Sequence, residues 1–180
     1  WDRLSDPTVT TGKLITDNQA VEPTPAPQSP APASRMPTLF CPRDDKATIK
    51  TLHWYADLMA SAKKIVCMTF AFNLDDVFRD VLLQDGQTLR YAVFDKKPDA
   101  DTLDALDQVK NTVIAAGAKL DEGDLANFGF ERLSGFNKNL YIHDKFLLVD
   151  PLGNDPVVLT GSANFSAASQ YNNDENMVVI

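Results

Sequence analysis

The run KIVCMTFAF (64–72) constrains the fold of this chain more than any other stretch. It is β-branched, aromatic and apolar over about the length of a buried strand, and far short of the ~20 residues that a membrane span needs. Before it, Ile49, Leu52, Tyr55, Leu58, Met59 and Ala62 recur at helical spacing; after it, Val77, Phe78, Val81 and Leu82 form a second apolar stripe. LRYAVF (89–94) reads as another strand. Leu103, Leu106, Val109 and Val113 then mark a third helix that should stop near Gly117. TLFC (38–41) supplies a short leading strand, with Asp44 and Asp45 as candidate caps for the first helix and Asn73 for the second. Strands alternating with helices predict an α/β domain, a largely parallel or mixed sheet flanked by helices.

The region ahead of Thr38 has a different character. Residues 21–37 (VEPTPAPQSPAPASRMP) hold six of the eleven prolines and almost no large apolar side chain, so they read as a linker. Residues 1–20 read as the tail of a preceding region, because Trp1 and Leu4 have no obvious partners nearby. The domain proper is expected over 38–180, and the closing apolar ENMVVI resembles an unfinished strand, as in a piece of a longer protein. Residues 121–137, with three glycines, read as irregular, a loop over a site or a long connection.

The chemistry concentrates in NKNLYIHDKFLLVDPLGNDPVVLTGSANFS (137–166). DPLGNDP is dense in turn formers, which predicts a hairpin pairing KFLLV with PVVLT. A reversal centred between Gly153 and Asn154 would set His143 opposite Asn164 and Lys145 opposite Ser162, and directly opposed residues share a face. Gly161 would leave room for close approach of a ligand to the backbone. Asp150, at odd spacing from His143, faces the other way and supports the fold or a second layer of contacts. Lys, Ser and Asn donate to the non-bridging oxygens of a phosphate, and Lys adds charge. Neutral imidazole is a competent nucleophile once its other nitrogen is held, for which Asp174 and Glu175 of NNDENMVVI offer a carboxylate. One His among Lys and amides makes a poor metal site, so no cofactor is expected.

HDKFLLVD resembles the H-x-K-x-x-x-x-D signature of the phospholipase D superfamily, and GSANFS resembles the G-S-x-N element that follows it. NDENMVVI is similar to the segment that supplies the family's orienting Glu, while FCPRDD and AKKIVCMTFAF look like its first strands. The connection from Asp150 to Gly161 is longer than is usual in that family, but by an even number of residues that falls in the turn, so facing is preserved. The resemblance implies that His143 is the nucleophile or its general-acid counterpart, that Lys145, Ser162 and Asn164 hold phosphoryl oxygens, that Glu175 orients His143, and that Asp150 is the motif acid. It implies a metal-independent phosphodiesterase acting through a covalent phosphohistidine.

In-line displacement needs a second acid on the far side of phosphorus. The only other histidine, His53, lies in a helical pattern without the motif and reads as a surface or packing residue. The resemblance therefore implies a second motif, from another half of the same chain or from a homodimer partner, with this segment as the C-terminal half of a two-motif bacterial protein. A non-catalytic half that only completes a partner's site is the reading from a different class; His143 and Glu175 speak against it. Residues 1–37 hold three of the 17 Lys/Arg and four of the 25 Asp/Glu, which leaves 38–180 at −7, a poor footprint for non-specific nucleic-acid binding. Around the motif, Lys138 and Lys145 stand against Asp144, Asp150, Asp155, Asp174 and Glu175. That balance leans toward a phospholipid or other small phosphodiester as substrate, with a nuclease as the alternative. Cys41 and Cys67 lie in or beside apolar runs and read as buried free thiols.

Overall fold

A computed structural model describes residues 5–21, 36–72, 74–116 and 142–180. The predicted alternation is there: β1 (Thr38–Phe40), α2 (Lys50–Ala60), β2 (Ile65–Phe70), α3 (Asp76–Leu82), β3 (Leu89–Phe94) and α4 (Ala100–Asp107) follow one another. After them come β4 (Thr112–Ala116), β5 (Phe146–Val149), β6 (Val157–Gly161), the short helix α5 (Ala167–Tyr171) and β7 (Asn176–Val179). The strands form one mixed sheet in the order β1-β7-β6-β5-β2-β3-β4. The β2-β3-β4 part is parallel, as βα crossovers require, and the hairpin-linked part is antiparallel.

A single apolar core fills one face of this sheet. Val66, Met68 and Phe70 of β2 and Leu147 and Val149 of β5 point into it. Leu52, Tyr55, Leu58 and Met59 of α2, Phe78, Val81 and Leu82 of α3, and Leu106 of α4 cover them. Each such side chain contributes roughly 1.5–3 kcal/mol on burial. The alternate positions Leu89, Tyr91 and Val113 lie on the other face and are exposed.

Two expectations change here. The third helix ends at Asp107, and the Val113 assigned to it belongs to β4, paired with Tyr91. The spacing of Val109 and Val113 suits a helix, but the β-branched run Thr112–Val113–Ile114 suits an edge strand better. Buried Asn111 marks the switch, its amide donating to the Thr88 carbonyl at 2.8 Å. Asp75 caps α3, accepting from the Val77 N–H at 3.3 Å; Asn73, expected there, lies outside the described residues. Within the segment read as a tail, Thr11–Val21 form a helix, α1. It meets the domain through two side-chain amides, Asn18 donating to the Pro42 carbonyl at 2.8 Å and Gln19 donating to that of Arg43. Trp1 and Leu4, the proline-rich stretch 22–35 and the irregular 121–137 lie outside the described residues.

The hairpin forms, with its register one residue from the expected one. Phe146 pairs with Thr160 and Val149 with Val157, so the reversal is centred on Gly153. The cause is Asp150. It takes a positive φ of 46°, and its carbonyl accepts the Gly153 N–H at 2.7 Å, closing a tight turn immediately after β5.

Candidate functional site

Both ladders of the hairpin stop before the residues of interest. Continued past Phe146, the observed register would set Lys145 across from Gly161 and His143 across from Ala163, not from Ser162 and Asn164. The two segments that carry these polar groups leave the sheet at the same end. Residues 142–145 are held there by three side chains. Asp95 accepts the Ile142 N–H at 2.8 Å, Thr69 donates to the Asp144 carbonyl at 2.6 Å, and Thr160 donates to the Lys145 carbonyl at 2.9 Å. Thr69 also accepts the Phe146 N–H at 3.2 Å. Sequence reasoning missed all three; their only signal was a polar residue at or just past the end of an apolar strand.

GSANFS works by alternation. Ala163 and Phe165 are buried, and the Phe165 ring packs edge-on against Tyr55 and Phe78, each at 5.8 Å between centroids. Those anchors turn Ser162 and Asn164 the other way. Gly161 serves a different purpose from the expected one. A Cβ there would stand 2.2 Å from the Asn176 carbonyl oxygen and 2.8 Å from the Met177 Cα, so the neighbouring strand, not a ligand, uses the space. That approach lets Asn176 accept the Ser162 N–H at 2.9 Å and donate its own N–H to the Ser162 hydroxyl at 3.0 Å. The hydroxyl proton is left to serve another acceptor.

Glu175 stands one residue before that clamp. Its main chain pairs with Cys41 in both directions, at 2.8 and 3.4 Å. Lys145 is buried, and its Nζ donates to the His143 carbonyl at 2.6 Å. Burial pulls its ammonium below the ordinary lysine value, and the charges of Glu175 and Asp144 pull it partly back. His143 itself is exposed and meets the edge of the Phe72 ring at 6.0 Å. Phe72, 56% exposed, continues into a cavity of about 380 Å³ that Asn164 also lines.

Asp150 is not part of this group. It lies beyond the opposite end of β5, where its carboxylate accepts the N–H groups of Lys63 (2.8 Å), Lys64 (2.8 Å) and Ile65 (3.0 Å). Burial alone would raise this carboxyl, but the three N–H donors and the Lys63 charge outweigh that and hold it below the ordinary range. It therefore ties the start of β2 to the end of β5. His53 is exposed on α2. Cys41 and Cys67 are free thiols, Cys41 buried and Cys67 half-buried.

These features define a phospholipase D-like α/β domain, and comparison with known proteins agrees. The family model described as "Cardiolipin synthase, PLD-like domain" matches residues 55–180. The chain belongs to that family, and so to the phospholipase D superfamily of phosphodiesterases. No curated protein sequence matches it. Among solved structures, NucT from Helicobacter pylori is 20% identical with a TM-score of 0.51, over 81% of this chain and 84% of that one. Nuc from Salmonella typhimurium, described as a phospholipase D family member, is 18% identical with a TM-score of 0.49, over 81% and 82%. A polyphosphate kinase from Porphyromonas gingivalis is 12% identical with a TM-score of 0.52, covering 98% of this chain and 27% of its own. At these identities the likeness is one of fold.

Proposed function

We propose that this domain supplies one half of a phosphodiesterase site that works through a covalent phosphohistidine, with a phospholipid or similar small phosphodiester as substrate. An imidazole nitrogen of His143 forms a bond to phosphorus as the bond to one alcohol oxygen breaks. The departing oxygen takes its proton from an acid of a second motif, contributed by another half of the chain or by a second copy. Water then attacks phosphorus, the P–N bond breaks, and the monoester leaves with His143 regenerated. Lys145, Ser162 and Asn164 hold the non-bridging oxygens where negative charge develops, the type of contact that accelerates such steps most. Glu175 orients His143. Asp150 acts on the fold.

The observation that carries this reading is Lys145. A buried ammonium held on the carbonyl of an exposed histidine, within the field of Glu175, is an expensive arrangement for packing alone and a useful one for an anionic substrate. The substrate preference rests on the acidic balance around the motif. The test compares hydrolysis of phosphatidylcholine vesicles and single-stranded DNA by the full chain together with its second motif. Faster lipid turnover that disappears in His143→Ala supports the proposal; turnover of DNA alone, or turnover indifferent to His143, contradicts it.

A further inference from the structure

The strands on either side of β5 stop pairing with it just short of Lys145. The last pair with β2 is Met68 with Leu147, and the last with β6 is Phe146 with Thr160. Two threonine hydroxyls then take the place of the ladder. Thr69 donates to the Asp144 carbonyl at 2.6 Å and accepts the Phe146 N–H at 3.2 Å, so one hydroxyl bridges the peptide units before and after Lys145. Thr160 donates to the Lys145 carbonyl at 2.9 Å from the opposite neighbour. The main chain of Lys145 is thereby tied to both β2 and β6. Thr69 is only 3% exposed, and a hydroxyl so buried is costly unless its bonds are made. Here its proton and an acceptor site are both used. Branching at Cβ restricts its χ1, which makes the bridge stiff.

We infer, resting on the phosphodiesterase reading given above, that Thr69 is a positioning residue of the reaction. It acts through Lys145, fixing where the ammonium meets the phosphoryl oxygens, and Thr160 braces the same residue from β6. Valine at position 69 would keep the branched shape but leave the Asp144 carbonyl and the Phe146 N–H without this partner. The main chain of Lys145 would then be free to shift, and a misplacement of about 1 Å can cost about 10²-fold in rate. The loss falls mainly on kcat, because the contact matters most where negative charge develops.

The experiment follows hydrolysis of bis(p-nitrophenyl) phosphate by the full chain together with its second motif, with kcat expressed per folded molecule. Thr69→Val is expected to lower kcat by about 10-fold or more and to leave KM within about threefold. Thr69→Ser keeps the hydroxyl and is expected to stay within about threefold of the parent kcat. Thr160→Val is expected to lower kcat in the same direction by about threefold or more. In a Lys145→Met chain, adding Thr69→Val is expected to change kcat by less than about twofold, since the lysine it aims is gone. A Thr69→Val chain that loses only stability and keeps its kcat overturns the inference. So does a Thr69→Ser chain no better than Thr69→Val, or a Thr69→Val loss undiminished in Lys145→Met. Should Thr69→Val fail to fold, Thr160→Val decides: an unchanged kcat overturns the inference and a lowered one supports it. Absence of turnover in the parent chain overturns the phosphodiesterase reading and the role of Thr69 together. Parent turnover that Thr69→Val retains overturns the role of Thr69 alone.

Discussion

Lys145 Nζ donates to the main-chain carbonyl of His143 at 2.6 Å, so one ammonium fixes the backbone that carries the histidine and presents its charge beside it. The two motif residues are coupled through the chain itself, two positions apart, just where residues 142–145 leave the sheet. Thr69, Thr160 and Asp95 hold this short segment in place of strand pairing.

Replacing Lys145 by Met separates function from stability. On the proposed role of Lys145 in holding phosphoryl oxygens, its loss is expected to lower kcat/KM by about 10²-fold or more. The urea midpoint should stay level or rise, because an apolar chain suits a buried position better than a charge does. The folded ammonium holds its proton less well than an unfolded lysine, so the native state gains stability as pH rises from its lowered value toward ~10.4. Urea titrations across alkaline pH should show that rise in the parent chain and not in Lys145→Met. In Glu175→Gln the attraction that partly restores the proton is gone, and the alkaline limb of any remaining activity should move to lower pH.

Asp150→Asn should behave in the opposite way. Losing the charge on three backbone donors is expected to destabilise the fold by about 1–3 kcal/mol, read as a lower urea midpoint, with kcat per folded molecule close to unchanged. The carboxyl is held below its unfolded value, so its contribution is fully present above ~3.9 and is lost as pH falls through the folded value. Acid unfolding of the variant should lack that component.

Gly161→Ala forces a methyl group onto the Asn176 carbonyl and the Met177 Cα. The β6–β7 pairing must open, which is expected to destabilise the domain by about 3 kcal/mol. Ser162 and Glu175 depend on the same contact, so activity should fall even under conditions where the variant remains folded.

The thiol of Cys41 is buried and pushed up to about 12, chiefly by desolvation. Cys67 is half-buried and is also raised by desolvation. Neither is expected to react rapidly with a disulfide reagent at pH 8 until denaturant is added, when two thiols should titrate. A rapid native-state reaction at Cys41 would contradict the packing of β1 against β7.

The elements legible in the sequence were those with a strong local period, such as the apolar run of β2 and the stripe of α2. Among the described residues, helix and strand were confused around 109–113, where two valines four apart fit either period and the β-branched neighbours decide. The hairpin was legible but its register was not. The one-residue difference comes from Asp150, whose positive φ accompanies contacts with Lys63, Lys64 and Ile65, far away in sequence. Asp150 was expected to face away from His143 by parity; it is instead set apart from it by position, just past the far end of β5 at a positive φ. Why Ser162 and Asn164 turn outward was not legible, because it depends on Phe165 reaching Tyr55 and Phe78 across the core. Thr69, Thr160 and Asp95 gave too little local signal to be noticed, since each acts on backbone of another segment.

The most direct measurement of the central claim is to trap the phosphoenzyme. Full chain with its second motif is quenched in alkali during turnover of a substrate labelled at phosphorus, and the protein-bound label is mapped. A label that is stable to base, labile to acid, located on His143 and absent in His143→Ala is the expected result. A label that persists in His143→Ala, or steady turnover with no protein-bound phosphorus at any time, would contradict nucleophilic catalysis by this histidine.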